Sequence, residues 1–237
     1  MTVHCEWGPN GIAELAGRVR AFVIVDVLSF STCVDVATGR EAQIVPFPLG
    51  DHAAAMRRAE EIGALVATHR TEAGPYSLSP ATLANIPAGT RLVLPSPNGS
   101  KLSLTAAATG AAVFAGCLRN AGAVAQAVRG FGDIAVIPAG ERWTSDDSLR
   151  PAIEDLIGVG AILEALDMRL SVEARVARDA FRAARSDLAS IIRQSMSGQE
   201  LIERGFPQDV EMAVAYGVSA NAPRLVDGVY GATTSML

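Results

Sequence analysis

Three turns in this sequence carry side chains that could bind a phosphate group beside a metal ion. They lie at residues 26–32, 96–100 and 139–143, and each follows an apolar strand pattern. Ligands of open α/β sheets bind at the carboxyl ends of strands, and a helix N-terminus offers unpaired N–H groups to an anion. The sequence therefore predicts a phosphate site flanked by acidic side chains.

Carboxylates in and after these turns are the candidate metal ligands. Asp26 interrupts an apolar strand, Glu141 follows another strand, and Glu154 and Asp155 lie in the first turn of a predicted helix. A buried carboxylate is costly unless it is paired or bound to metal, and Mg²⁺ is usually held by one or two carboxylates plus waters. We therefore predict Mg²⁺ ligands at Asp26, Glu141, Glu154 and Asp155.

The same acidic residues also have structural interpretations, which the sequence leaves open. Asp26 could cap the following turn, Glu141 could form a surface ion pair with Arg142, and acids in a first helical turn usually stabilise the helix dipole. In the functional interpretation, Asp26 and Glu141 are catalytic, and Arg142 binds phosphate through its planar guanidinium. The nucleophile, whether water or a side chain, is not assigned.

Polar residues at helix starts are the candidate substrate ligands. Backbone N–H groups of a turn can surround an anion, hydroxyl groups can donate hydrogen bonds to it, and arginine suits a further acid group. The alternative is that such residues only cap helices, form turns or lie solvated at the surface. In the functional interpretation, the substrate ligands are Ser29, Ser31, Thr32, Asn98, Gly99, Ser100, Arg119 and Asn120.

Alternating apolar runs and helical patterns predict an α/β protein. The predicted strands are 21–27, 43–48, 64–68, 91–94, 112–115, 133–137 and 226–230. The predicted helices are 31–39, 53–63 with Asp51 as N-cap, 101–109, 120–129, 152–166, 199–204 and 210–216, with a helical pattern over 172–195. Residues 69–89 contain many helix and strand breakers and are predicted to form a long loop with a short helix near 80–85. The whole chain, 1–237, is predicted to form a single domain, with two closely packed lobes as the alternative.

Composition argues against several kinds of partner. The net charge is −5 and no basic cluster is interleaved with aromatic residues, so we expect no nucleic-acid partner. Without a long uncharged apolar stretch or a secretory N-terminal pattern, we expect no membrane partner and a cytoplasmic location.

The three cysteines lack metal-ligand spacing and a Cys-x5-Arg pattern, which argues against a disulfide scaffold, a zinc site or a cysteine phosphatase. Ala-rich helices leave a homodimer as an open prediction.

The ordered set of motifs resembles the 2-phosphosulfolactate phosphatase family. The matching blocks cover nearly the whole chain and lie at 25–32, 47–50, 96–100, 119–121, 139–142 and 154–155. The resemblance implies a three-layer α/β/α fold with a mixed, largely parallel sheet. It also implies a Mg²⁺-dependent phosphatase that converts 2-phospho-3-sulfolactate to 3-sulfolactate and phosphate, a step in making coenzyme M.

One departure from the family pattern concerns the predicted anion site. The first block in the family usually reads Asp-Val-Leu-Arg-Ala-Thr, so Ser29 stands where an anion-binding arginine is expected. Two alternatives therefore stay open. The chain could be a phosphatase of another small phosphorylated acid on the same scaffold, or a non-catalytic protein that binds an anion.

Overall fold

A ten-stranded sheet lies at the centre of the computed structural model, which describes residues 1–72 and 74–232. The strands, of which β8 and β9 form a separate hairpin, are β1 (Thr2–Cys5), β2 (Ala21–Val25), β3 (Gln43–Pro48), β4 (Leu65–Val66), β5 (Arg91–Ser96), β6 (Ala112–Gly116), β7 (Ile134–Pro138), β8 (Glu141–Arg142), β9 (Leu149–Arg150), β10 (Arg169–Leu170), β11 (Arg224–Val226) and β12 (Val229–Gly231). The α-helices are α1 (Gly8–Leu15), α2 (Phe30–Thr38), α3 (His52–Ile62), α4 (Pro80–Leu83), α5 (Gly99–Ala107), α6 (Ala121–Val128), α7 (Ile153–Ala165), α8 (Val172–Ala184), α9 (Leu188–Gln194), α10 (Met196–Glu203) and α11 (Pro207–Ala213).

Two blocks of parallel strands are joined by an antiparallel hairpin. The strand order is β10-β1-β7-β2-β6-β11-β12-β3-β5-β4. Neighbours are parallel within β10-β1-β7-β2-β6 and within β3-β5-β4. The hairpin of β11 and β12 pairs antiparallel with β6 on one side and with β3 on the other. The predicted mixed, largely parallel sheet is therefore confirmed.

Helices cover both faces of the sheet because its central strands are apolar on both sides. Phe22 and Ile24 of β2 pack in a core with α1, α2 and α5, whereas Val23 and Val25 belong to the opposite core with α6, α7 and α8. All four side chains are completely buried. Such continuous apolar strands are typical of sheets enclosed between two helical layers. The three-layer α/β/α fold is confirmed.

The ends of β2 and β5 meet although four strands separate them in the sheet. Neighbouring strands of a sheet rotate by about 20 to 25° relative to one another, so direction changes strongly across this distance. Gly99, at the start of α5, donates its backbone N–H to the carboxylate of Asp26 after β2, at 3.0 Å. Turns from the two parallel blocks therefore converge at one place.

Most predicted elements are confirmed with small changes in their bounds. Strand β3 coincides with the prediction, and Asp51 accepts a hydrogen bond from Ala54 N at 2.7 Å as the N-cap of α3. The predicted strand 64–68 is reduced to Leu65–Val66, and the short helix near 80–85 is Pro80–Leu83. Strand β1 and helix α1 have no counterpart among the predicted elements.

The C-terminal third differs from the prediction in two places. A hairpin of β11 and β12 replaces the single strand predicted at 226–230, because Asp227 and Gly228 adopt φ values of 50° and 79° and reverse the chain. An Asp-Gly pair is a strong hairpin signal, and it explains why the predicted single strand is wrong here. The helical pattern over 172–195 forms α8 and α9, joined by a 3-10 turn at Arg185–Asp187.

The cysteines and the lengths of the helices bear on two further predictions. The three cysteines are free and buried. Within the described ranges, no helix has both the length and the apolar character needed to cross a membrane.

Replacing Gly160 by alanine should lower the free energy of unfolding by about 1–3 kcal/mol. A Cβ atom on Gly160 in α7 would lie 2.2 Å from the carbonyl oxygen of Ala177 in α8 and 2.6 Å from Cβ of Phe181. Gly122→Ala in α6 is the matched control, because no atom lies within 4 Å of its Cβ position and alanine favours a helix. Urea unfolding that gave equal losses for both variants would contradict close packing of α7 on α8.

Candidate active site

A cavity of about 520 Å³ opens where the turns after β2 and β5 converge. Asp26 and Ser29 line it from the turn after β2, and Asn98 lines it from the turn after β5. Glu141 of β8 and Arg70, which follows β4, complete this part of the wall. The cavity thus has acidic and basic side chains in its wall.

Asp26 is held at the end of β2 by backbone groups from two helices. Its Oδ1 accepts a hydrogen bond from Phe30 N of α2 at 3.2 Å, and its Oδ2 accepts one from Gly99 N of α5 at 3.0 Å. Burial raises the pKa of Asp26 to about 6, the two N–H donors oppose this shift, and the Glu154 carboxylate adds to it. The side chain is therefore fixed in position and lies in a field of like charge.

Glu141 lies beside Asp26 and is oriented by an amide. Asn98 Nδ2 donates a hydrogen bond to Glu141 Oε2 at 3.0 Å, which links the turn after β5 to β8. Burial raises the pKa of Glu141 to about 7, and repulsion by the carboxylates of Asp26 and Glu154 adds to the increase. A positive charge at this place would relieve the repulsion.

Asp155 joins two turns at the base of the site. It lies in the first turn of α7, where Oδ1 accepts from Val27 N at 2.7 Å and Oδ2 accepts from Gly140 N at 2.8 Å. Burial raises the pKa of Asp155, with further contributions from Asp26 and Glu154, whereas the two N–H donors lower it. Through these two hydrogen bonds Asp155 ties the turns after β2 and β7 to the start of α7.

Glu154 differs from the other acids of the site in its hydrogen bonding. The residue is 2% exposed, and its Oε2 has no hydrogen-bond partner within the described part of the chain. Its charge raises the pKa values of Asp26, Glu141 and Asp155, so it belongs to the same electrostatic cluster. An unpartnered buried carboxylate oxygen beside two other acids fits a hard cation such as Mg²⁺, which prefers oxygen ligands.

A preformed cluster of three metal ligands is nevertheless absent from the part of the chain that the structure describes. Among residues 1–72 and 74–232, no three His, Cys, Asp or Glu side chains are grouped closely enough to form such a site. Mg²⁺ usually keeps several waters and needs only one or two carboxylates from the protein. The chemistry of Asp26, Glu141 and Glu154 therefore fits Mg²⁺.

The three hydroxyl groups predicted to bind phosphate have different surroundings. Ser31 Oγ donates to Ile24 O at 2.9 Å, and Thr32 Oγ1 donates to Val27 O at 2.6 Å. Both side chains are completely buried and stabilise the turn after β2. Of these three, the hydroxyl group of Ser29 is the one at the cavity.

The turn after β5 also divides into a cavity residue and structural residues. Asn98 lines the cavity, whereas Ser100 is buried and donates its hydroxyl hydrogen to Leu94 O at 2.8 Å. Gly99 uses its N–H for Asp26, and a Cβ there would lie 2.3 Å from the Phe30 ring. Glycine at 99 thus allows α5 to approach α2. Because its N–H binds Asp26, Gly99 can affect a substrate only by positioning that carboxylate.

Arg119, Asn120 and Arg142 lie outside the cavity wall formed by the described residues. The guanidinium of Arg119 pairs with the buried carboxylate of Asp35 at 2.9 Å. Asn120 Oδ1 accepts from Cys117 N at 2.8 Å and caps the turn after β6, while Arg142 Nη1 donates to Asp147 O at 3.0 Å. The structure gives these three residues local partners and does not place them in the cavity wall.

Several basic residues at the cavity were not predicted as site residues. Arg70 and His69 follow β4, His52 begins α3, and Arg204 follows α10. The rule that ligands bind at carboxyl ends of strands would have pointed to His69 and Arg70, which come directly after the predicted strand 64–68. Arg204 has no comparable signal, because it lies far along the chain and follows a helix.

An acidic cavity with adjacent cations, at strand ends of a three-layer α/β/α fold, is the arrangement of an enzyme that acts on a small anion. Comparison with known proteins identifies the class. The model of the family described as 2-phosphosulpholactate phosphatase matches residues 11–228. The chain therefore belongs to this family of phosphoric monoester hydrolases.

Curated relatives support the same assignment. A 2-phosphosulfolactate phosphatase of Methanothermobacter thermautotrophicus is 33% identical over 87% of this chain and 87% of its own length. A probable 2-phosphosulfolactate phosphatase of Carboxydothermus hydrogenoformans is 30% identical over 81% of this chain and 80% of its own length. One from Thermotoga petrophila, also named as probable, is 25% identical over 89% of this chain and 91% of its own.

Replacing Asp155 should destabilise the turns at the site in proportion to the backbone hydrogen bonds that are lost. Asp155→Ala leaves the N–H groups of Val27 and Gly140 without acceptors, at about 1–3 kcal/mol for each buried group. Asp155→Asn keeps one carbonyl oxygen and should lose about half as much. Urea unfolding measures both variants, and an alanine variant as stable as the asparagine variant would contradict the positioning role.

Proposed function

We propose that this protein is a Mg²⁺-dependent phosphatase that hydrolyses 2-phospho-3-sulfolactate to 3-sulfolactate and phosphate, as a step in making coenzyme M. The observation that carries the proposal is the electrostatic cluster of Asp26 and Glu141, which line the cavity, with buried Glu154, one of whose oxygens has no hydrogen-bond partner among residues 1–72 and 74–232. Membership of the family and the names of its relatives supply the substrate.

Hydrolysis of a phosphate monoester is extremely slow without a catalyst, so the site must neutralise the phosphoryl oxygens and hold the reactants in line. One or two of the carboxylates of Asp26, Glu141 and Glu154 would hold Mg²⁺, which when bound supplies positive charge to the phosphoryl oxygens. The protein's own contribution is to fix the carboxylates before substrate arrives.

Each carboxylate is fixed by a neighbouring group. The N–H groups of Phe30 and Gly99 hold the two oxygens of Asp26, and the amide of Asn98 orients Glu141. Asp155 ties the turns after β2 and β7 to α7, in which Glu154 is the adjacent residue. Fixed groups of this kind lower the cost of reorganisation during the reaction.

A phosphatase of another small phosphorylated acid is the second candidate. It is favoured by Ser29, which presents a hydroxyl group to the cavity where the resemblance implies an arginine. A changed residue at an anion site changes which acid group is bound best. The scaffold and the acidic cluster would serve either substrate.

The cytoplasm is the location that we propose, and a homodimer stays a prediction. Three free, buried cysteines are usual in a reducing compartment. Exposed valines on α8, Val172 and Val176, are apolar surface of the kind that a second copy could cover.

Phosphate release from 2-phospho-3-sulfolactate and from a panel of phosphorylated hydroxy acids tests the activity, with Mg²⁺ and with a chelator. We expect release from 2-phospho-3-sulfolactate that stops on chelation. Release only from other acids would support the second candidate. No release from any of them would contradict both phosphatase proposals and favour an anion-binding protein.

Glu154→Gln tests the metal proposal without the need for activity. Removal of one charge relieves repulsion in the cluster, so the Tm of the metal-free variant should equal or exceed that of the wild type. Addition of Mg²⁺ should raise the Tm of the wild type and raise that of the variant much less, since a ligand stabilises the state that it binds. Glu60→Gln, on the exposed face of α3, is the control and should respond like the wild type. An unchanged Mg²⁺ response in Glu154→Gln would remove Glu154 from the ligand set.

A further inference from the structure

Arg70 is held rigidly at the cavity although it lies in the long loop after β4. Its Nε is 3.0 Å from Asp209 Oδ2 of α11, and only 15% of the Arg70 side chain and 4% of the Asp209 side chain are exposed. Asp209 is itself fixed by Ser79, whose hydroxyl group donates to Oδ1 at 2.5 Å. The guanidinium carbon also lies 5.5 Å from the centre of the Phe206 ring. These contacts fix the direction in which the Arg70 guanidinium points before any ligand binds.

The anchored guanidinium keeps donors free on its cavity side. Arg70 Nη2 donates a hydrogen bond to Ser29 Oγ at 3.0 Å. Within the described residues, Nη1 makes no hydrogen bond to the protein, and a guanidinium has five N–H donors in total. A planar fork with unused donors in a cavity wall matches the oxygen atoms of a phosphate, sulfonate or carboxylate group.

Residues 29 and 70 meet at the same point of the cavity wall. Ser29 comes three residues after Asp26, and its short side chain leaves the space that the Arg70 guanidinium enters. An arginine at 29 would place a second guanidinium against Arg70, and two like charges at contact distance repel one another. In this chain, Arg70 is the cation that contacts residue 29 at this point.

We propose that Arg70 is a substrate-binding residue that supplies the oxyanion-binding cation of the cavity from the loop after β4, with Asp209 as its positioning residue. The inference rests on the proposed function for the nature of the substrate. It does not need the hydrolysis itself, because binding of an oxyanion can be measured alone.

The test measures binding of inorganic phosphate and of 3-sulfolactate to the whole protein by titration calorimetry. Arg70→Met should weaken binding of at least one of the two by about 10- to 100-fold, as expected for a lost hydrogen-bonded charge pair. Arg70→Lys should recover part of the affinity. Arg57→Met, which removes an exposed arginine of α3, is the control and should bind as the wild type does.

The two ligands show which part of the substrate Arg70 contacts. Weaker binding of phosphate alone places Arg70 at the phosphoryl group, and weaker binding of 3-sulfolactate alone places it at the sulfonate or carboxylate end. Arg70→Met with wild-type affinity for both ligands would overturn the proposal.

Loss of Arg70 leaves the Asp209 carboxylate buried without its cation, which could unfold the protein. Arg70→Met/Asp209→Asn removes both charges and should fold, yet show the same loss of affinity. Ser29→Arg/Arg70→Met moves the positive charge from residue 70 to residue 29. This double variant should bind phosphate or 3-sulfolactate more tightly than Arg70→Met does. Ser29→Arg alone should not bind more tightly than the wild type.

The outcome is separable from the test of the phosphatase. If no substrate is hydrolysed but phosphate binding depends on Arg70, the inference stands and the proposed reaction fails. If 2-phospho-3-sulfolactate is hydrolysed and the KM and ligand affinities of Arg70→Met equal those of the wild type, the reaction stands and the inference fails.

Discussion

The concentration of negative charge beneath the cavity is the constraint on which the rest of the site depends. Asp26, Glu141, Glu154 and Asp155 come from three parts of the chain and act electrostatically on one another. Burial of several carboxylates is unfavourable unless each finds donors or a cation. The backbone supplies four N–H donors, two for Asp26 and two for Asp155, and the amide of Asn98 supplies a fifth donor for Glu141. Glu154 keeps an oxygen without a donor among the described residues, which therefore leave the charge incompletely compensated.

These requirements explain local features that otherwise look accidental. Gly99 is needed because α5 must approach the Phe30 ring closely enough for its N–H to reach Asp26. The buried hydroxyl groups of Ser31 and Thr32 hold the turn after β2 in the shape that presents Asp26. Thus residues that do not face the cavity determine where the acidic groups lie, and substitutions there affect the site through its geometry.

Sequence reasoning could find what is encoded locally. A carboxylate in an apolar strand marks Asp26, and strand-to-helix turns mark the neighbourhood of Asn98 and Glu141, because both signals lie within a few residues. Long-range partners are not encoded in this way. Arg119 was predicted to bind substrate, but its guanidinium pairs with Asp35, which lies 84 residues away. Arg70 went unassigned because its anchor, Asp209, belongs to a helix far along the chain.

The contact between Arg70 and Ser29 also shows how a cation can reach a point of the site from a distant part of the chain. A cation at one point of a site can be supplied by different positions in the sequence. An arginine side chain is long, and a carboxylate bound to its Nε can direct the guanidinium to that point. Here Asp209 provides that hold and Ser29 leaves the space. A departure from a family motif at one position is therefore best interpreted together with the residues that the fold brings against it. In this chain, the serine at 29 and the arginine at 70 come from two separate segments and meet through a hydrogen bond at the cavity wall.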